Sequence, residues 1–303
     1  MSKVLFTEVM SALATPLCED GSINAETARK LMRWQLDAGL AGFYVCGATG
    51  EGVVMRPAAR KRLTEIAVEE AKSRGAVIAH VGAVDMATAV DLAARAAAAG
   101  VDAISSVPPF FYSYGLPEIA QYYTALTEAS GLPTLIYASP MAGTVFSRDM
   151  VAALMEIRGI IGLKWTNPDY YAMSRIKQLG DGDINVINGP DETLLCGLCM
   201  GADGGIGSTY NVMPETFAAL YRHFKAGRLE EARAAQAKVN KVIGVLLEFG
   251  LLPGIKEMLS LLGFDMGYCT MPMQRFSDDK RRTFFGRLKA LGYPEEYVTA
   301  LPS

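Results

Sequence analysis

Lys164 lies within Gly159-Ile160-Ile161-Gly162-Leu163-Lys164-Trp165-Thr166, a run that otherwise reads as a buried β-strand. An ammonium in apolar surroundings loses its hydration, which favours the neutral amine. A neutral amine in a dry pocket is a nucleophile for a carbonyl. Strand alternation predicts Gly162, Lys164 and Thr166 on one face, with Ile161, Leu163 and Trp165 on the other. Taken alone, the run fits better a lysine at a strand end whose head reaches water, because lysines snorkel easily. The other strand ends reverse that preference.

After the second predicted strand comes Cys46-Gly47-Ala48-Thr49-Gly50-Glu51-Gly52. Its glycines permit a tight loop with free backbone N–H groups, and Thr49 adds a hydroxyl; such a nest favours an anion. The spacing does not match a dinucleotide fingerprint. The fifth strand ends at Tyr137, on the same face as Leu135, where a phenol is placed to relay protons or simply to pack. Thr166 follows Lys164 on the inward face. The seventh strand ends in Asn188-Gly189-Pro190-Asp191-Glu192, an acidic pair suited to capping a helix or to accepting hydrogen bonds from a polyol. The eighth lies in the glycine-dense run from Gly201 to Asn211, which includes Ser208 and suggests close backbone approach. An anion nest, a tyrosine, a lysine and an acidic pair together fit a Schiff base to a 2-oxo acid. The nest holds the carboxylate and the lysine attacks the adjacent ketone.

The elements that must position these groups alternate along the chain. Candidate strands are Val9–Thr15, Gly42–Cys46, Val77–Val81, Ala103–Val107, Thr134–Tyr137, Ile160–Lys164, Asn185–Asn188 and Gly204–Ser208. Between them, Pro57 suits the first turn of a helix over 57–73. Thr88–Ala99 stops at Gly100, Pro117 opens a helix ending at Gly131, and Ser147 caps another. Asp191 starts the helix leading to Met200. Eight βα units favour a closed α/β (β/α)8 TIM barrel, with chemistry at the C-terminal ends of its strands. After residue 214 the pattern is purely helical: Pro214–Lys225, Leu229–Glu248, Pro253–Leu262 and Asp278–Leu291. The expected organisation is a catalytic barrel over 1–225 and a C-terminal helical region over 226–303.

Composition narrows the chemistry. The chain has 303 residues, half of them apolar, and a net charge of -3, which gives no reason to expect nucleic acid or an anionic membrane as partner. No apolar run approaches a membrane span, and the N-terminus has no signal-peptide pattern. Five cysteines without a framework fit a reducing cytoplasm. Cys196 and Cys199 have CxxC spacing but no second pair, and read as filler in an apolar helix. His80 and His223, the only histidines, fall on a strand and a distant helix, so neither a His-based metal site nor a triad is expected.

These motifs resemble the family of pyruvate-dependent class I aldolases that contains N-acetylneuraminate lyase and dihydrodipicolinate synthase, over essentially the whole chain. Gly47-Ala48-Thr49-Gly50-Glu51 resembles its GxxGE carboxylate loop, Tyr137 its strand-five tyrosine and Lys164 its Schiff-base lysine. Thr166, Gly189, Asp191, Glu192 and Ser208 match the sugar-binding positions of the lyase branch. Ala142 stands where the synthase branch places an arginine for a second carboxylate. Three positions depart from the usual pattern: Ala48 replaces a serine, Ala138 an asparagine, and Phe111 a tyrosine that reaches across a subunit contact, with Tyr112 beside it.

The resemblance implies reversible cleavage of N-acetylneuraminate to N-acetylmannosamine and pyruvate. Ala48 and Thr49 would hold the carboxylate, Lys164 and Tyr137 would be catalytic, and no metal or cofactor would be needed. It also implies a small-molecule sugar-acid substrate and a homotetramer. Alternatives are a same-family aldolase for another 2-keto-3-deoxy sugar acid, and less favoured, dihydrodipicolinate synthesis or a non-catalytic sugar-acid-binding homologue.

Overall fold

A computed structural model describes residues 4–298 of the chain. Eight parallel strands form one closed barrel in sequence order: β1 (Glu8–Ala12), β2 (Gly42–Val45), β3 (Ala76–His80), β4 (Ala103–Ser106), β5 (Thr134–Ala138), β6 (Ile160–Trp165), β7 (Asn185–Asn188) and β8 (Gly204–Gly207). β1 closes the cylinder against β8. Seven helices connect the strands: α1 (Ala25–Asp37), α2 (Pro57–Ala71), α3 (Met86–Ala99), α4 (Leu116–Ser130), α5 (Arg148–Met155), α6 (Tyr170–Lys177) and α7 (Leu194–Cys199). α8 (Pro214–Lys225), α9 (Leu229–Phe249), α10 (Leu251–Leu261) and α11 (Asp278–Ala290) follow the last strand. The (β/α)8 reading of the sequence therefore holds, with strand ends moved by up to three residues.

Local signals explain most boundaries. Asp85 and Ser147 accept hydrogen bonds from Thr88 N and Met150 N at the starts of α3 and α5, and Gly100 ends α3 with a φ of 89°. α1 and α6 were not among the expected helices, yet they carry the same signal: Asn24 and Asp169 cap them. The helix expected from Asp191 begins as a short 3-10 turn, Asp191–Thr193, before α7. Cys196 and Cys199 are exposed on α7, so they do not fill the core as expected.

Two apolar layers result. Inside the cylinder, Phe6, Met10, Tyr44, Ile78, Leu135, Ile187 and Ile206 pack together with Tyr137. Outside it, a larger cluster joins the outward strand residues to the helices. Leu163 and Trp165 lie in the outer layer, as alternation requires, but Ile161 joins the inner one. The cause is a register shift: Thr134 pairs with Ile160 whereas Leu135 pairs with Gly162. The extra residue turns Ile161 inward and leaves Lys164 facing the interior too.

Val239, Leu246, Ile255 and Phe284, all beyond residue 225, belong to the same outer cluster as the barrel helices. Tyr293 donates its hydroxyl to the Val212 carbonyl at 3.0 Å. The segment after α10 runs beside Leu17, whose N–H donates to the Met266 carbonyl and whose carbonyl accepts from Tyr268 N. Among the described residues, no helix is long and apolar enough to cross a membrane.

Candidate active site

The strand registers bring the candidate residues to one end of the barrel. Tyr137 of β5 pairs with Lys164 of β6, which pairs in turn with Ile187 of β7. Lys164 is only 5% exposed. Its Nζ stands 4.3 Å from the centre of the Tyr137 ring and 4.9 Å from that of Tyr44. Among the described residues no carboxylate lies within 4.0 Å of it, and the two ring faces frame the amine. Tyr44 donates to Ser105 Oγ at 3.0 Å, and burial pushes its phenol well above the ordinary range.

His80 completes this aromatic floor and was not among the expected site residues. Its ring meets Tyr137 edge-on at 5.9 Å. Nδ1 lies 3.1 Å from the Cys46 carbonyl and Nε2 accepts from Val107 N at 3.3 Å, an arrangement that requires the proton on Nδ1. Burial, with the nearby Arg60 charge, holds the imidazole at about 3, so it is neutral at working pH. The sequence signal was its place on an inward strand position at the C-terminal end of β3, facing the same interior as Lys164.

The glycine loop after β2 turns sharply at Cys46, which has a φ of 60°. It closes on itself through Glu51 N to the Ala48 carbonyl and Gly52 N to the Gly47 carbonyl, both at 3.0 Å. Thr15 Oγ1 donates to the Gly50 carbonyl at 2.7 Å. Thr49 is buried, and its hydroxyl lies 2.7 Å from that of Ser208 at the end of β8. Two residues that sequence reasoning assigned to opposite ends of a substrate thus touch.

The acidic pair divides. Asp191 is buried, and its carboxylate accepts from Ser208 N at 3.2 Å, Thr209 N at 2.6 Å and Thr209 Oγ1 at 2.7 Å. Burial pushes this carboxyl up to about 6, against the opposing pull of the Thr209 hydrogen bonds. Glu192 is exposed, and its carbonyl accepts from Asn240 Nδ2. Two glycines make the close approach possible. A Cβ at Gly189 would stand 2.0 Å from Thr166 Oγ1, and one at Gly207 would stand 2.2 Å from Asp191 Oδ1. Thr166 Oγ1 is buried against Gly189 without a hydrogen-bond partner among the described residues.

The rim opposite Asp191 is apolar. Ala48, Val53, Val107, Phe110, Met141 and Ala142 surround a crevice of about 100 Å³ above Tyr137 and His80. Phe111 is 84% exposed with a φ of 85°, and Tyr112 meets its ring edge-on at 5.0 Å. Neither ring reaches Lys164 within the chain.

A buried amine beside a phenol and a loop of backbone donors is the equipment of imine chemistry. The model of the dihydrodipicolinate synthetase family matches residues 5–291. The chain belongs to the dihydrodipicolinate synthetase family. The N-acetylneuraminate lyase of Rhizobium meliloti is 37% identical over 270 residues, 89% of this chain and 90% of that protein. That of Escherichia coli is 38% identical over 253 residues, 83% and 85% of the two chains. Among solved structures, CdNal from Clostridium difficile in complex with mannosamine superposes with a TM-score of 0.90 at 32% identity, covering 97% of this chain and all of that one. A Ruminococcus gnavus sialic acid aldolase, solved as a catalytic lysine mutant, superposes with a TM-score of 0.90 at 26% identity, covering 97% and 98%.

Proposed function

We propose that this protein is a class I aldolase that reversibly cleaves N-acetylneuraminate to N-acetylmannosamine and pyruvate. The observation that carries the reading is the Lys164 amine, buried among ring faces at the C-terminal end of β6. It gains support from relatives that bear the lyase name across most of their length.

In this reading the Lys164 amine adds to C2 of the open-chain sugar acid, and loss of water leaves an iminium. Tyr137 relays the C4 hydroxyl proton, accepting it as its own phenol proton passes to the substrate carboxylate, and the same relay later returns a proton to C3. The C3–C4 electron pair then moves into the iminium, giving an enamine and releasing the aldehyde. Protonation at C3 and addition of water return the free amine and pyruvate. The backbone N–H groups of Ala48 and Thr49 hold the carboxylate throughout, and their fixed donors need no reorganisation. Thr166, Gly189, Asp191, Glu192 and Ser208 line the path of the polyol. Thr166 supplies a hydroxyl beside Gly189, and Asp191 shapes the wall through Ser208 and Thr209. The protein works in the cytoplasm as a homotetramer, which light scattering on the purified protein tests.

Borohydride reduction in the presence of pyruvate, followed by peptide mass analysis, is the decisive experiment. A pyruvyl adduct on Lys164 is expected; an unmodified Lys164 rejects the mechanism. A coupled pyruvate-release assay over a panel of sugar acids then fixes the substrate. Cleavage of 2-keto-3-deoxygluconate with N-acetylneuraminate inert would move the protein to the neighbouring aldolase, a reading favoured by the loss of a hydroxyl at Ala48 and the apolar crevice above it.

A further inference from the structure

Glu51 ends the carboxylate loop and is used by none of the steps above. Its side chain is fully buried and its backbone sits at a φ of 60°. Lys256, on α10, is likewise buried and places Nζ 2.6 Å from Glu51 Oε1, an ion contact rather than a directed hydrogen bond. The other carboxylate oxygen accepts from Thr270 N, and Lys256 Nζ also donates to the Tyr268 carbonyl. The segment bearing Tyr268 and Thr270 is itself pinned to Leu17 in the loop between β1 and α1. A buried ion pair is a poor source of net stability, because desolvation offsets most of the attraction. It does fix geometry, since either charge alone would be left buried without its counter-charge.

We infer that Glu51 and Lys256 are positioning residues for the substrate carboxylate: the C-terminal helices hold the Ala48–Thr49 donors in place through this pair. The inference rests on the aldolase reading and deepens it. Glu51 N also closes the loop on the Ala48 carbonyl, so a shift of the Glu51 side chain moves the peptide that presents the donors. Lys164 and Tyr137 sit on β6 and β5 and share no hydrogen bond with the pair. Loss of the pair should therefore weaken recognition of the carboxylate while leaving imine formation with a neutral ketone intact.

The test compares borohydride trapping of the full-length protein by pyruvate and by methyl pyruvate, the latter lacking the negative charge. The wild type should be trapped more efficiently by pyruvate. Lys256→Met should reduce that preference at least tenfold by raising the pyruvate concentration needed for half-maximal trapping, with the methyl pyruvate rate within threefold of wild type. The neutral double variant Glu51→Gln/Lys256→Met removes both buried charges and keeps an acceptor for Thr270 N, so it should recover part of the preference. It also carries the test if Lys256→Met fails to fold. An unchanged preference in every variant that folds, or an equal loss with both ketones, overturns the inference. If pyruvate fails to trap the wild type, the aldolase reading itself falls, a result separate from failure of the positioning role.

Discussion

Replacing Lys164 with alanine removes the nucleophile and with it the whole covalent route. Turnover of N-acetylneuraminate should fall by several orders of magnitude, measured as pyruvate release, while far-UV circular dichroism stays unchanged. Asp191 sets a pH dependence. Its carboxyl is held at about 6 in the folded protein, above the ordinary value near 3.9. Protonation below pH 6 weakens its acceptance from Ser208 N and Thr209, which shape the polyol wall. The expected outcome is a rise in KM for the sugar acid as pH falls through about 6, and a flattened profile in Asp191→Asn. The stability sign is opposite. A carboxyl raised on folding contributes stability below its unfolded value near 3.9, and that contribution is lost as pH rises through about 6. Asp191→Asn should therefore narrow the fall in thermal midpoint between pH 4 and pH 7.

At the scale of elements, α9 supports the loop that follows β7. Gln236 donates to the Asp191 carbonyl at 3.0 Å and accepts from Leu195 N at 3.0 Å, while Asn240 reaches the Glu192 carbonyl. Gln236→Ala leaves the buried Leu195 N–H without its acceptor, at a cost of about 1–3 kcal/mol, and removes one of two donors to the Asp191 carbonyl, which keeps Leu194 N. Chemical denaturation should register the loss, and the KM for the sugar acid should rise more than kcat falls. The candidate site on β2, β5 and β6 was legible in sequence because each strand end carries its own marked residue. The role of α9 was not, because a helix 40 residues further on announces its apolar face but not which loop that face will meet.

For the whole molecule, the helices beyond Lys225 complete the outer core and touch the loops after β2 and β7, at Glu51, Asp191 and Glu192. A chain truncated after Lys225 exposes the apolar faces of α7 and α8 that α9 covers. It is expected to lose cooperative thermal unfolding in calorimetry and to bind a hydrophobic dye. A truncated chain that kept a sharp transition and pyruvate trapping would show the barrel to be self-sufficient. Family membership fits this arrangement, since the family model runs from residue 5 to residue 291 and spans the barrel and most of the helical region.

The sequence by itself determined the barrel, the strand that carries the amine, and the glycine loop after β2. Each of these is written locally, in strand alternation, helix caps and turn residues. Tertiary structure alone decided the rest. A one-residue register shift turned Ile161 inward, His80 joined the aromatic floor as a neutral ring, Thr49 met Ser208, and Lys256 found Glu51 from 205 residues away. These contacts join residues far apart in the chain, and their partners are fixed only when the cylinder closes and the C-terminal helices pack against it. Short-range patterns carry no information about that step.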